Sequence, residues 1–300
     1  MADNWKITAA ASRQAVLAAL EAHTAGEWAE VQPVVAGREV AEDAPEWVLE
    51  AWLDHQPTEA DLHSFAMLFG NDPPPFEVER LAEQDWIALS QQGLEPIRAG
   101  RFHVRTAEHP ASTDTKVIDL VIPAAQAFGT GQHATTAGCL AMLDRMEREG
   151  RAPRNIIDVG TGTGLLAFAA LRLWPKARVA ASDIDPVCDS VLLENAGLNG
   201  VPLGQGAGEV AVAIAPGLDH LLLQGRTPYD LLIANILAQP LIELAPAFAE
   251  AIAGGGDVLL AGLLEAQEEA VTAAYEAVRF SLQHRYLQDG WSILWLRKRA

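Results

Sequence analysis

The sequence predicts a two-domain chain: an α+β ferredoxin-like domain over residues 1–83, a linker region over residues 84–115, and an α/β domain over residues 116–300. The second domain is expected to hold a Rossmann-like, doubly wound sheet with an antiparallel final strand. Three observations predict this. Strand and helix signals run in the order βαββαβ up to Leu81, the split βαβ arrangement. From Asn155 on, near-continuous apolar strands such as IIDV and YDLLIAN alternate with helices, as parallel strands covered on both faces require. Asp289-Gly290 then joins two last strands as a hairpin turn.

Taken in order, Trp5–Ala10 alternates apolar and polar side chains, Arg13–Ala25 has helical spacing, and Trp28–Val35 is Val-rich. Trp47–Leu53 is strand-like, Thr58 can cap a helix at Asp61–Gly70, and Phe76–Leu81 is again extended. Gln84–Gln92 is amphipathic, and Pro96–Arg105 and Lys116–Ile122 are extended segments that bridge the halves. A helical run, Ala137–Glu147, precedes the sheet. Its strands are Asn155–Val159, Ala177–Asp183, Glu209–Ile214, Tyr229–Asn235, Asp257–Leu260, Arg279–Leu287 and Trp291–Leu296. The helices between them are Leu165–Leu173, Pro186–Asn199, Pro240–Ala253 and Glu265–Ala277.

A hydrophobic share of 50% against 20% charged residues excludes a disordered chain and supports two ordinary cores. No run approaches the ~18 apolar residues of a membrane span, and MADNWKITAA lacks the basic-then-apolar pattern of a signal peptide. The expected location is the cytoplasm. Cys139 and Cys188 lie in apolar contexts far apart, which predicts free thiols. The eight histidines form no metal-ligand spacing, so no metal is expected. The net charge of −19 disfavours a large nucleic-acid contact and suits a basic protein partner.

Asp158-Val159-Gly160-Thr161-Gly162-Thr163-Gly164 falls where the first strand of the sheet becomes a helix. Glycine belongs there because the backbone must turn tightly and let a ligand approach, while the helix N-terminus offers free N–H groups. The alternative is a plain Gly-rich turn. A dinucleotide fingerprint needs a third glycine at position 165, where Leu165 stands. Gly160 and Gly162 are therefore expected to hold the amino-acid end and ribose of S-adenosylmethionine rather than a pyrophosphate. About 20 residues on, Asp183 closes the next strand, where a carboxylate accepts ribose hydroxyls. An N-cap role is its alternative, and Asp185 fits that duty better. Asn235 ends YDLLIAN at the carboxyl edge of the sheet, placed to hold a polar group or an incoming amine, or else to make a strand-end turn. The loop Phe128–Thr136 has a bland account as a flexible segment ending in a threonine N-cap.

Together, AFGTGQHATT, IIDVGTGTGLLAFAAL, SDIDP, ENAGLNGV, LLIANILAQPL and DGWSILWL, with Asp85-Trp86 and Gly100-Arg101-Phe102, resemble the ribosomal protein L-eleven methyltransferase family. The resemblance covers most of residues 84–300; the first ~80 residues match by element order alone. Gln132 and Ala134 stand where many members carry Thr and Pro. The resemblance implies a class I S-adenosylmethionine-dependent methyltransferase in which Thr136, Gly160, Asp183 and Asn235 contact the cofactor. It also implies N-methylation of lysine and N-terminal amines of ribosomal protein L-eleven, free or on the large subunit. The N-terminal domain would recognise that protein.

The expected chemistry is in-line attack of a neutral amine on the sulfonium methyl. The donor is already activated, so alignment and desolvation suffice and no dedicated base is assigned. Phe128, Thr130 and Asn235 are the candidate pocket wall, and a monomer is expected. Three rivals are weighed. A methyltransferase on a glutamine amide or nucleobase would carry Asn-Pro-Pro-Tyr or a relative where this chain has Asn235-Ile236-Leu237-Ala238. A nicotinamide oxidoreductase is opposed by Leu165 and by the antiparallel finish. A non-catalytic ribosomal adapter differs from the enzyme only by turnover.

Overall fold

The computed structural model describes residues 5–25, 33–39, 46–53, 55–70, 73–80, 96–123 and 132–299. The chain divides into two compact units, Met1–Gln92 and Gly93–Ala300.

The first unit contains β1 (Trp5–Ser12), α1 (Arg13–Ala25), β2 (Val34–Glu39), β3 (Glu46–Leu53), α2 (Glu59–Met67) and β4 (Phe76–Arg80). All its pairings are antiparallel, in the order β2-β3-β1-β4, as the ferredoxin-like reading requires. The two-residue strand period puts Ile7 and Ala9 of β1 beside Leu49, Ala51 and Leu53 of β3, where they bury with Val16, Ala19 and Phe65. Thr58 and Asp61 form a capping box: Asp61 N–H donates to Thr58 Oγ1 at 3.2 Å and Thr58 N–H to Asp61 Oδ2 at 2.9 Å. Thr58 is thus the cap itself, and α2 begins at Glu59 rather than Asp61 and ends at Met67. The Val-rich strand is centred later than Trp28–Val35, and residues 28–32 lie outside the described residues, as does the segment Gln84–Gln92.

The second unit opens with β5 (Ile97–Ala99), β6 (Phe102–Arg105) and β7 (Ile118–Val121), which pair as a small sheet. There follow α3 (Gln132–Arg148), β8 (Asn155–Val159), α4 (Leu165–Leu173), β9 (Arg178–Asp183), α5 (Val187–Leu198) and β10 (Val210–Ile214). The chain continues through α6 (Leu221–Gln224), β11 (Tyr229–Asn235), α7 (Ala238–Ala251), β12 (Ile252–Leu264), α8 (Glu268–Ala277), β13 (Phe280–Gln288) and β14 (Trp291–Lys298). The main sheet has the order β10-β9-β8-β11-β12-β14-β13. It is parallel through β12 and antiparallel thereafter, because the hairpin returns β14 between β12 and β13. After β8 the next strand in sequence, β9, lies on one side and β11 on the other, so the sheet changes direction between β8 and β11.

Alternate residues of the central strands feed two cores. Ile156, Leu231 and Ile233 pack with Leu140, Leu143 and Met146 of α3 and Phe168 of α4, together with Phe102, Val104 and Leu120 of the small sheet. Residues 97–105 and 118–121 therefore belong to the packed second unit. On the other face Ile157, Leu232 and Ala234 meet Leu241 and Phe248 of α7 and Tyr275 of α8. α3 starts at Gln132, five residues earlier than its periodicity suggests, so Thr135 and Thr136 lie within the helix and neither is its N-cap.

At the opposite end of the sheet from the glycine loop, Asp257 is 2% exposed. Its Oδ1 accepts from Trp295 Nε1 at 2.8 Å and from Arg297 Nε at 2.9 Å, and its Oδ2 accepts from Arg151 Nε at 2.6 Å. Replacing Asp257 by Ala leaves a buried indole donor unmatched and removes the carboxylate partner of two guanidinium groups. The expected loss is about 3 kcal/mol or more of unfolding free energy, read from urea denaturation of the whole chain.

Candidate functional site

The loop between β8 and α4 is held from three directions. Gly160, Gly162 and Gly164 all adopt positive φ (71°, 52° and 84°), a region that side chains disfavour. Gly160 and Thr161 N–H groups donate to Ser182 O at 2.8 and 2.9 Å, tying the loop to the end of β9. Asp158 Oδ2 accepts from Thr161 Oγ1 at 2.7 Å and from Ala167 N–H at 3.1 Å, which fastens the loop to the first turn of α4. From α5, Asn195 Nδ2 donates to Thr163 O at 3.0 Å.

Asp183 supports the same loop. Its Oδ2 accepts from Gly162 N–H at 2.8 Å and its Oδ1 from Asp185 N–H at 3.1 Å. Asp185 takes the capping duty, its Oδ1 accepting from Val187 N–H at 2.9 Å at the start of α5. The Cys188 thiol hydrogen-bonds to Asp183, and burial followed by the neighbouring negative charge pushes that thiol up to about 11. Cys139 is buried, and both cysteines are free.

Beside the loop a cavity of about 450 Å³ opens at the carboxyl ends of β8, β11 and β12. Thr135 and Thr136 of α3 form one wall, the loop Gly160–Thr163 with Leu165 and Leu166 a second, Asn235-Ile236-Leu237 a third, and Gly262 and Trp291 the last. The N–H groups of Leu165 and Leu166, in the first turn of α4, meet no acceptor among the described residues. A carboxylate in the cavity would satisfy them and meet the positive end of the helix dipole. This lining carries no titratable side chain. Open cavities of this kind lie where an α/β sheet reverses strand order. A larger groove of about 640 Å³ in the first unit, lined by Ala11, Ala15, Ala18, Leu68, Phe69, Gly70 and Pro73–Pro75, also lacks groups able to do chemistry.

Of the residues singled out in the sequence, Thr136, Gly160, Gly162 and Asn235 line this one cavity. Asp183 stands behind the loop, bonded to Gly162, and does not line it. Phe128 and Thr130 lie outside the described residues. The structure adds Thr135, Ile236, Leu237, Gly262 and Trp291. Thr135 and Leu237 adjoin recognised residues. Gly262 and Trp291 come from later strands, and only the strand order brings them here.

A doubly wound sheet that ends antiparallel, with a glycine loop and a carboxylate at adjacent strand ends, defines an S-adenosylmethionine-dependent methyltransferase. Residues 7–299 match the family model "Ribosomal protein L11 methyltransferase (PrmA)", and the chain belongs to that family. It is 37% identical over 263 residues to the ribosomal protein L11 methyltransferase of Brucella melitensis biotype 2, covering 88% of this chain and 89% of that protein. The namesake from Mesorhizobium japonicum is 42% identical over 223 residues, 74% of each chain. Among solved structures, the ribosomal protein L11 methylase of Lactobacillus delbrueckii subsp. bulgaricus superposes with a TM-score of 0.57 at 26% identity, over 69% of this chain and 99% of that one.

Asp158 has a consequence for stability. Complete burial, opposed by its bonds to Thr161 and Ala167 and reinforced by the charge of Asp183, raises its pKa to about 7 from 3.8. The folded chain thus keeps a proton on Asp158 between pH 4 and 7 that the unfolded chain has released. Stability falls as pH rises through that window, by up to about 1.4 kcal/mol per unit. Asp158→Asn keeps an oxygen acceptor for Thr161 and Ala167 but cannot ionise. Its stability is expected to match wild type near pH 4 and to exceed it at pH 8, measured by denaturant titration; parallel curves for the two proteins would contradict this.

Proposed function

We propose that this chain is a monomeric, cytoplasmic enzyme that transfers methyl groups to lysine side-chain and N-terminal amines of ribosomal protein L11. The observation that carries the chemistry is the cavity itself: threonine, asparagine, glycine, aliphatic and tryptophan walls at the strand-order reversal, with no titratable side chain among the described residues that line it. S-adenosylmethionine supplies a methyl group already activated on a sulfonium, so the protein has to bind, align and desolvate rather than provide a base.

The residues divide that work. Leu165 and Leu166 N–H groups at the α4 N-terminus would hold the cofactor's carboxylate. Gly162 has open space where a Cβ would stand, so the loop backbone can lie against the ligand. Asp183 keeps lone pairs beyond its two backbone bonds, and these accept the ribose hydroxyls. Thr136 offers a hydroxyl from α3. Across the cavity Asn235 orients the incoming amine, while Leu237 and Trp291 exclude water. Desolvation there lowers an amine pKa from its ordinary value near 10.4 and exposes the lone pair.

Charge supports the partner. Residues 1–92 carry 17 acidic side chains against 4 basic ones, whereas residues 93–300 carry 23 against 17. The first unit is therefore the acidic part of the molecule, suited to steering a lysine-bearing protein. No described helix is long and apolar enough to cross a membrane.

Labelled S-adenosylmethionine incubated with the enzyme and unmethylated ribosomal protein L11, free or in large subunits, should label lysine and N-terminal amines, mapped by mass spectrometry. Label on RNA, on a glutamine amide or nowhere would overturn the proposal. Asp183→Ala should weaken adenosylhomocysteine binding at least about tenfold, since each hydrogen bond to a charged group contributes about 1.5–3 kcal/mol. Unchanged affinity by calorimetry would remove its ribose role.

A further inference from the structure

Ile236, the residue after Asn235, is held between two glycines, Gly160 of the loop after β8 and Gly262 of β12. We propose that Gly262 is a positioning residue for methyl transfer: its bare α-carbon lets the Ile236 peptide lie against β12, and this seat aims Asn235 and Leu237 into the cavity. The inference rests on the reading of Asn235 given above and extends it to a residue that no motif marks.

The pairing of β12 with β14 shifts register between Leu260 and Leu263, which places one extra residue in β12. Gly262 sits in that bulge at φ +86°. Beside it, Asn235 pairs with Ala261, and Ile236 N–H donates to Ala261 O at 3.1 Å. A Cβ built on Gly262 would lie 2.3 Å from Ile236 O, 2.7 Å from its C and 2.9 Å from its N. The positive φ alone would call for glycine in the bulge. The atoms a Cβ would meet are in addition the main chain of the turn that carries Asn235.

Gly160 provides the contrast. A Cβ there would stand 2.3 Å from Ile236 Cγ2 and 3.8 Å from Ile236 Cβ. That collision is with a side-chain tip, and shortening Ile236 removes it. The collision at Gly262 is with backbone, and no substitution of Ile236 removes it. Gly160 therefore accommodates the Ile236 side chain, and Gly262 fixes the path of the peptide. Displacing a positioned group by about 1 Å is enough to cost on the order of 100-fold in rate.

The test uses full-length enzyme, adenosylmethionine and free ribosomal protein L11, with kcat and KM measured well below each variant's melting temperature. Gly262→Ala is expected to lower kcat about tenfold or more, and to add little to the loss already caused by Asn235→Ala, because it acts through that residue. Ile236→Ala should partly restore Gly160→Ala and leave Gly262→Ala unrescued. Wild-type kcat and KM in Gly262→Ala, losses that multiply in the Gly262→Ala/Asn235→Ala double variant, or rescue by Ile236→Ala would each overturn the inference. If Gly262→Ala does not fold, Ile236→Gly decides. It frees the peptide path that Gly262 fixes, so it should lower kcat and combine with Asn235→Ala less than multiplicatively, and full activity would overturn the inference. An Asn235→Ala enzyme with wild-type turnover would instead sink the site reading on which the inference stands.

Discussion

The buried carboxyl group of Asp158 holds the glycine loop to the sheet and to α4. It closes β8, the strand where the sheet reverses direction, and is 1% exposed. One of its oxygens receives both the Thr161 hydroxyl and the Ala167 N–H, so the loop and the first turn of α4 are set by the same atom. Its burial raises the pKa to about 7, a departure that a purely structural carboxylate on the surface would not show. The loop's other anchors, Ser182 O and the Asp183 carboxylate, come from β9. Loop geometry is therefore a product of β8–β9 pairing.

Among the described residues the cavity wall carries no titratable side chain, which suits the methyl transfer proposed above. A reaction whose leaving group is activated in advance gains more from exclusion of water and alignment than from proton transfer. Strand ends supply that economically: threonines from α3, the glycine loop, Asn235-Ile236-Leu237, a bulge glycine and a tryptophan from the returning hairpin meet in one place. The acidic balance is concentrated in the separate first unit, leaving the cavity wall uncharged.

Much of this was legible in the sequence because it is local. Asp158–Gly164 announces its own turn through glycine spacing. Asp183 is found by its distance along the chain from that loop, and Asp185 by its position before Pro186. Thr58 is found as a helix cap by its place before the α2 pattern, though not its box with Asp61. The errors have local causes too. The α3 periodicity begins at Ala137, yet the helix starts at Gln132, because polar residues on its first turn carry no apolar signal for the part that faces the cavity. β12 reads as the short apolar run Asp257–Leu260, yet it pairs over Ile252–Leu264, because its flanking glycines weaken the pattern without preventing ladder bonds.

The sequence by itself determined the fold class, the glycine loop between β8 and α4, the carboxylate behind it and the asparagine at the end of β11. Each of these depends on residues close in the chain, or on the fixed length of one strand–helix–strand unit. Only the tertiary structure decided that Asp183 also braces the loop through Gly162, and that Trp291 and Gly262 complete the wall. Insertion of β14 beside β12 brings Trp291 within reach of Asn235, and the β12 bulge brings Gly262 under Ile236. Those contacts join residues from 27 to 56 positions away from Asn235, and no local pattern encodes a distance that only sheet order closes.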